Sequence, residues 1–169
     1  MSQSISIEEA RERLIMCNSY ESMPAILELS ASLGESDWFT ILGEKWSCCD
    51  NIGKYSDALL ERSPLGSRMG PVREMMTDEE WEKLHQLPEE FEVFRGCYRG
   101  VNEKGLSFST RSAIAEKFPQ LNRYKINGGD AIVLHGRAKR SEVLALKLCR
   151  NEEEVILRSC RLLGEIPLK

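Results

Sequence analysis

The sequence is poor in the residues that most often bind metals. Its 169 residues include two histidines, His85 and His135, and neither lies near a cysteine pair. The six cysteines contain no C-x-x-C spacing, so the pattern of a zinc site is missing. We therefore expect no metal cofactor. Scattered cysteines without a secretion signal are typical of a protein in a reducing cytosol.

Long apolar runs and a strong charge of either sign are also missing. No stretch has the ~20 apolar residues that a membrane span needs, and the N-terminal segment MSQSISIEEARERL lacks the apolar core of a signal peptide. The net charge is −4, which does not favour binding to nucleic acid or to an anionic membrane. These absences predict a cytoplasmic protein without membrane or nucleic-acid partners.

The residues that are present predict a folded chain of ordinary composition. Apolar residues make up 41% and charged residues 30%, which is typical of globular proteins and argues against disorder. The length suffices for one domain with a substantial core or for two small lobes.

The first half of the chain, residues 1–88, has the apolar spacing of helices. Ser6 with Glu9 and Thr77 with Glu80 form two capping-box patterns, and apolar residues follow each pattern at helical spacing. We predict a helical region over residues 1–88. The tryptophans of this region are expected in its core rather than in a binding surface: Trp38, Trp46 and Trp81.

After Pro88 the apolar period changes from that of helices to that of strands. The segments EFEVFRG, GLSFST, AIVLHGRA, EVLALKLC, EVILRS and RLLGEIPL read as strands. The segment SAIAEKF reads as one short helix capped by Ser112. We predict an α+β fold in which the helical N-terminal half packs on a compact, mostly-β half over residues 89–169.

Three short motifs in the β half carry side chains suited to chemistry. Arg95 stands in a predicted strand, just before a glycine. The stretch SFSTR places the hydroxyls of Ser109 and Thr110 at a strand end, next to a helix start. The stretch EEEVIL places Glu152 and Glu154 two residues apart, and in an extended backbone their side chains share a face.

Each motif alone also has an ordinary structural interpretation. Arg95 could be a surface or salt-bridged arginine. Ser109 and Thr110 could cap the following helix, and the three glutamates could form a solvated turn. The three motifs together favour a catalytic site, because they follow the motif order of one known enzyme family and independent accidents would not be expected to fall in that order.

In this order the motifs resemble the arginine–serine–glutamate branch of the ADP-ribosyltransferase family. The family's aromatic-Arg-Gly, Ser-Thr-Ser and Glu-x-Glu motifs are matched by Phe94-Arg95-Gly96, Ser109-Thr110-Arg111 and Glu152-Glu153-Glu154. The resemblance covers Phe91 to Ser159, and it departs from the family at Arg111, where serine or threonine is usual. It implies an ADP-ribosyltransferase-like β region.

The resemblance also implies the reaction. NAD would be the substrate, ADP-ribose would pass to a macromolecule, most simply a protein side chain, and nicotinamide would be released. The family's catalytic positions fall on Glu154, Glu152, Arg95 and Ser109. Glu154 would stabilise an oxocarbenium-like transition state at the ribose, Glu152 would face the acceptor, and Ser109 would orient Glu154.

The same resemblance implies how NAD is bound. Arg95 would hold the phosphates, since an arginine fork matches phosphate oxygens. The backbone of Gly96 could approach the nicotinamide amide because glycine has no side chain. The loop over residues 118–130 would close over the ligand. The NAD-binding residues implied in this way are Arg95, Gly96, Ser109, Thr110, Phe118 and Tyr124.

Two other functions remain open at this point. One is an enzyme that cleaves NAD with water or phosphate and has no protein target. The other is a non-enzymatic module on the same fold that binds NAD or a protein partner. A small cytoplasmic chain of this kind would suit a bacterial or phage effector.

Overall fold

The computed structural model describes residues 4–169 and has an α+β fold, as the sequence predicts. The helices are α1 (Ile7–Ile15), α2 (Ser22–Leu29), α3 (Glu35–Lys45), α4 (Ser56–Arg62), α5 (Asp78–Gln86) and α6 (Ser112–Ala115). The strands are β1 (Glu90–Tyr98), β2 (Ser107–Ser109), β3 (Ala131–Lys139), β4 (Val143–Lys147), β5 (Glu154–Leu157) and β6 (Arg161–Pro167). Short 3₁₀ turns that bear on the site are Trp46–Cys48, Ile52–Tyr55, Phe118–Gln120 and Cys149–Asn151.

The predicted helix caps are present at both ends of the helical half. The Ser6 hydroxyl accepts a hydrogen bond from the Glu9 amide at 3.2 Å and begins α1. At α5, Thr77 and Glu80 form a complete capping box, which satisfies two amides that a helix start leaves unpaired. The predicted cap of α6 is wrong, because Ser112 is its first helical residue and Arg111 holds the cap position.

The six strands form one antiparallel sheet in the order β4-β5-β2-β1-β3-β6. Strand β1 pairs with β3 along its whole length, from Glu90 to Tyr98, and meets β2 at the pair Phe94↔Ser109. Strand β2 pairs in turn with β5. After Phe94, β1 is paired only with β3, while β2 is paired with β5. The two central strands, β1 and β2, therefore separate and leave an opening in the sheet.

The helical half and the sheet share one hydrophobic core. Trp46 and Leu42 from the helical half and Val143 and Ile156 from the sheet belong to the same buried cluster, each with 0% of its surface exposed. The aliphatic residues of β5 are buried together, and burying each such side chain is worth about 1.5–3 kcal/mol. This burial fixes the start of β5, where Glu154 stands.

A buried ion pair joins α5 to β4. The Lys147 ammonium donates to Glu80 Oε2 at 2.8 Å and to the Met75 carbonyl at 2.9 Å. Glu80 Oε1 also accepts from the Leu148 amide at 3.0 Å. Burial by itself raises the pKa of Glu80, but the bonds from Lys147, Thr77 and Leu148 outweigh it and hold the pKa below its usual value.

None of the helices within residues 4–169 is both long enough and apolar enough to cross a membrane.

Candidate active site

The opening between β1 and β2 is part of a cavity of about 490 Å³. This volume lies within the range of about 300–1,000 Å³ that is usual for small-molecule sites. One wall comes from the helical half, through the continuous segment 46–53, and the others come from the sheet, the turn before β5 and the loop after α6. The sequence-predicted residues that line the cavity are Arg95, Gly96, Ser109, Phe118, Tyr124, Glu152 and Glu154.

Arg95 bridges the opening between the two central strands. Its Nη1 donates to the Ser107 carbonyl at 2.7 Å, and its Nε and Nη2 donate to the Asn102 carbonyl at 3.2 and 2.9 Å. A guanidinium has five N–H donors, so these three bonds fix it in place while leaving two donors. Burial lowers the pKa of Arg95, but arginine keeps its charge at neutral pH.

Two glycines make room for this guanidinium. A Cβ atom added at Gly105 would lie 2.0 Å from Arg95 Nη2 and 2.1 Å from its Cζ. A Cβ atom added at Gly53 would lie 1.8 Å from Asn102 Oδ1 and 3.3 Å from Arg95 Nη2. The position of Arg95 therefore depends on the absence of a side chain at Gly105, whereas a side chain at Gly53 would clash with the Asn102 side chain and only crowd Arg95.

Ser109 and Glu154 face each other across two neighbouring strands. They form a direct register pair between β2 and β5, and Ser109 also pairs with Phe94 of β1. Directly opposed residues of antiparallel strands point to the same face. The sheet thus brings Ser109 and Glu154 to one side, although 45 positions separate them in the sequence.

The carboxylate of Glu154 is held by a residue of the helical half. Glu154 Oε1 accepts a hydrogen bond from the Trp46 indole nitrogen at 3.0 Å. The same indole N–H is shared with the Ser107 hydroxyl, at 3.2 Å. Trp46 belongs to the core, as its helical spacing predicts, and it is also a wall of the cavity.

The hydroxyl of Ser109 has a different partner from the one that the resemblance implies. It donates to the backbone carbonyl of Glu152 at 2.9 Å and accepts from the Arg111 amide at 3.1 Å. A hydroxyl has a single proton to donate. The expected bond from Ser109 to the Glu154 carboxylate is therefore wrong for this structure, and Ser109 instead fixes the turn before β5.

The route by which Glu152 reaches the cavity also differs from the prediction. Strand β5 begins at Glu154, while Glu152 has helical dihedral angles (φ −82°, ψ −16°) and Glu153 lies at φ 43°. The argument from an extended backbone is therefore wrong. A turn with left-handed residues, including Arg150 and Asn151 at φ 58° and 56°, brings Glu152 and Glu154 to the same cavity.

The environment of Glu152 changes its acidity. Burial raises the pKa of this carboxyl, and the negative charge of Glu154 raises it further, while Arg150 and Arg123 act in the opposite direction. A carboxyl with a raised pKa is a better proton acceptor near neutrality. Perturbed acidity inside a cleft is a feature of functional sites.

Thr110 and Glu153 bond to each other and are outside the cavity lining. The Thr110 hydroxyl donates to Glu153 Oε2 at 2.8 Å, and the Thr110 amide donates to the Glu153 carbonyl at 3.3 Å. The orientation predicted for Glu153, away from the site, agrees with these contacts. The structure does not bring Thr110 to the cavity with the other predicted NAD-binding residues.

The glycine at position 96 serves the packing of α6. A Cβ atom added there would lie 1.9 Å from the Ala115 carbonyl oxygen and 2.7 Å from Pro119 Cδ. The space that a side chain would fill is therefore occupied by the protein itself. Gly96 lines the cavity through its backbone, but close approach of α6 is the reason that glycine is required.

The loop after α6 is joined to the helical half above the cavity. The Tyr124 hydroxyl donates to Asp50 Oδ1 at 2.7 Å, and Phe118 stacks on Tyr124 with ring centroids 6.3 Å apart. Asp50 Oδ2 also accepts from the Ser19 hydroxyl at 2.7 Å, and Arg123 lies 3.7 Å from Asp50 Oδ1. These contacts close the loop against residues 46–53.

The charge of Asp50 is stabilised by this cluster. Burial by itself raises the pKa of Asp50, but the hydrogen bonds from Tyr124 and Ser19 and the positive charges of Arg123 and Arg150 outweigh it, so that the pKa falls. Burial and the bond to Asp50 raise the pKa of Tyr124 well above its usual range. Tyr124 is therefore a hydrogen-bond donor, not an acid, at physiological pH.

The sequence motifs do not identify two residues that line the site, Trp46 and Asp50. Both lie in the helical half, where the motifs of the β half give no signal. The helical spacing of Trp46 predicts core packing, which it also provides, so nothing local distinguishes it from Trp38. Asp50 follows two cysteines at the end of a helix and has the appearance of an ordinary polar loop residue.

Within residues 4–169, the structure has no group of three or more histidine, cysteine, aspartate or glutamate side chains placed to hold a metal ion.

Comparisons of the chain with models of protein families, with curated proteins and with solved structures found no match.

Proposed function

We propose that this protein is an NAD-dependent mono-ADP-ribosyltransferase that transfers ADP-ribose to a macromolecule, with a protein side chain as the target, and releases nicotinamide. The proposal is carried by one observation. Arg95, Ser109 and Glu154 come from three different strands and line one cavity at the point where the sheet opens. The motif order along the chain and the geometry of the cavity thus point to the same residues.

In the proposed reaction, the bond between the ribose carbon and the nicotinamide nitrogen breaks. Its electron pair leaves with nicotinamide, which departs as a neutral molecule, and positive charge develops at the ribose carbon. Glu154 stabilises that charge and holds the ribose hydroxyl. The acceptor's lone pair then forms the new bond to the ribose carbon, and Glu152 takes the proton that the acceptor loses.

The charge pattern of the cavity supports these roles. Arg95 has two unused N–H donors for the phosphates of NAD, and arginine forks match phosphate oxygens. Glu154 is anchored at the first residue of a buried strand, which gives a carboxylate a fixed position. Glu152 lies beside it with a raised pKa. Phe118 and Tyr124 line the cavity and stack on each other.

The direct test uses labelled NAD with cell lysate and compares the wild-type protein with Glu154→Gln. We expect a labelled macromolecule with the wild-type protein and a fall in labelling of about 100–1,000-fold with the variant, the usual cost of losing a preorganised charge-stabilising group. Mass spectrometry of the labelled species then identifies the acceptor. Glu153→Gln is the matched control, because Glu153 is adjacent but outside the cavity lining. Equal labelling by the wild-type protein and Glu154→Gln contradicts the proposal.

A second candidate is cleavage of NAD with water or phosphate and no protein target. The hydrogen bond between Tyr124 and Asp50 favours it, because both residues line the cavity and the bond joins the loop after α6 to the helical half across it, where a small acceptor needs less room than a protein side chain. Incubation with NAD alone separates the two functions. Fast release of nicotinamide that lysate does not change supports the second candidate, while release that depends on lysate and appears as labelled protein supports transfer.

A further inference from the structure

The only tryptophan that contacts a carboxylate of the site, among the residues 4–169 described here, is Trp46. Its indole N–H points to Glu154 Oε1 at 3.0 Å and to the Ser107 hydroxyl at 3.2 Å. Trp46 and Glu154 are 108 residues apart in the sequence. The contact therefore joins the helical half directly to the carboxylate at the start of β5.

The Trp46 indole supplies the hydrogen bond to Glu154 that Ser109 does not make. The resemblance implies that a serine hydroxyl orients the glutamate, but the Ser109 proton goes to the Glu152 carbonyl. A carboxylate that lines a cavity can rotate about its side-chain bonds unless a donor fixes it. The donor that fixes Glu154 in this structure is the indole N–H of Trp46.

The indole is suited to this task because it cannot move freely. Trp46 has 0% of its surface exposed and belongs to the core shared by both halves. A donor held by packing needs no reorganisation when charge develops at the substrate, which is the condition for effective electrostatic stabilisation. Supporting residues of this kind decide how tightly a catalytic group is positioned.

We propose that Trp46 is a positioning residue that fixes the Glu154 carboxylate for its role at the ribose. The inference rests on the proposed function, since it assigns Trp46 a part in that same site. It also assigns the helical half a part in the chemistry, because its segment 46–53 both lines the cavity and supplies the donor.

Two variants separate this role from packing. Trp46→Phe keeps an aromatic ring in the core and removes the N–H donor. Trp38→Phe is the matched control, because Trp38 is equally buried and its indole N–H donates to the Ile26 carbonyl at 2.7 Å, within the helical half. Trp38→Phe loses one indole hydrogen bond, and Trp46→Phe loses the N–H that Glu154 and Ser107 share. Each variant also loses part of a buried ring, so thermal unfolding compares their structural cost.

The first measurement needs no enzyme activity. The indole N–H resonances of the tryptophans are recorded by proton–nitrogen NMR and assigned with the two phenylalanine variants. In Glu154→Gln, which removes the acceptor charge, we expect the Trp46 resonance to move and the Trp38 resonance to stay. An unmoved Trp46 resonance overturns the proposal whatever the protein's activity is.

The second measurement is the turnover of labelled NAD by the wild-type protein and both variants. We expect Trp46→Phe to lower kcat by about 10–100-fold, the value of one hydrogen bond to a charged group, with KM for NAD changed less than about twofold. Trp38→Phe should keep kcat. If Trp46→Phe does not fold, the isostere benzothienylalanine at position 46, in which sulfur replaces the N–H, gives the same comparison.

The outcomes distinguish the inference from the function on which it rests. A wild-type protein that does not turn over NAD overturns the proposed function, and the positioning role with it, even where the Trp46 resonance responds to Glu154→Gln. Turnover by the wild-type protein with equal kcat in Trp46→Phe overturns the positioning role alone. A selective fall in kcat together with the shifted resonance supports it.

Discussion

A single methyl group at position 105 should move Arg95 out of the candidate site. The Cβ atom of an alanine there would lie 2.0 Å from Arg95 Nη2 and 2.1 Å from Cζ, far inside van der Waals contact. The guanidinium is the end of a flexible side chain, so it can turn away while the backbone stays. Gly105→Ala is therefore expected to displace the arginine without unfolding the protein.

The cost in stability should be modest. Displacement breaks the three hydrogen bonds to the carbonyls of Asn102 and Ser107, and each carbonyl can be hydrated at the cavity surface. Gly105 has no left-handed backbone angle, so alanine also restricts the unfolded chain and returns about 0.4–1 kcal/mol. Three such bonds at about 0.5–1.5 kcal/mol each, less that gain, predict that the free energy of unfolding falls by about 1–4 kcal/mol.

Gly105→Ala should also weaken NAD binding, although Gly105 itself is not among the residues that line the cavity. If Arg95 holds the phosphates, its contact is a hydrogen bond between charged groups, worth about 1.5–3 kcal/mol. That loss corresponds to NAD binding weakened about 10–150-fold. Calorimetric titration of NAD into the folded variant measures it, and thermal unfolding monitors the fold.

The control for this prediction is Gly164→Ala on β6. A Cβ atom added at Gly164 meets no atom within 4 Å, so this variant changes a glycine without moving a neighbour. We expect it to bind NAD like the wild-type protein. Wild-type affinity in folded Gly105→Ala would refute the reasoning, because it would mean that the displaced arginine does not hold the ligand.

The remaining predictions concern the contacts that join the two halves. Lys147→Met leaves Glu80 charged and buried without its partner, and we expect a loss of about 3–5 kcal/mol in chemical denaturation at pH 7. The pKa of Glu80 is lowered in the folded protein. Its ionised carboxylate therefore stabilises the fold at pH values above its pKa in the unfolded chain, about 4.3, and this stabilisation is lost as the pH falls through the folded pKa. The penalty of Lys147→Met should therefore shrink in acid, and a constant penalty contradicts this. Asp50→Asn should also reduce the acid dependence of stability, since the pKa of Asp50 is lowered. Tyr124→Phe removes a hydrogen bond to the Asp50 carboxylate worth about 1.5–3 kcal/mol. We expect the loop to open more often, which faster amide hydrogen exchange over residues 121–129 would show. Unchanged exchange would contradict the role of Tyr124 in holding the loop.

Most helix starts and strands of this fold can be predicted from residues that are close together in the sequence. The capping box at Thr77 and Glu80 predicts the start of α5, and the predicted strand segments of the β half all contain observed strands. These features depend on side chains within a few residues of each other. The prediction that Ser112 caps α6 is wrong by one residue, because Arg111 is the last residue with extended backbone angles (φ −121°, ψ 116°) and Ser112 is already helical.

Only part of the candidate site can be predicted from local sequence motifs. The motifs identify Arg95, Ser109 and Glu154, and the sheet brings them to one cavity. The partners of those side chains could not be predicted, because hydrogen bonds choose among all donors that packing brings close. Ser109 binds the Glu152 carbonyl, and Glu154 binds an indole from the other half of the chain.

The sequence by itself determined the α+β layout, the helical and strand periods, and the motif that starts with three glutamates at the head of β5. Periodicity and capping act over short distances, so one sequence suffices to identify them. Only the tertiary structure decided which groups face the cavity and what holds them. The opening between β1 and β2, the turn that brings Glu152 and Glu154 together, and the contact from Trp46 all depend on residues distant in sequence, and packing of the shared core brings them into contact.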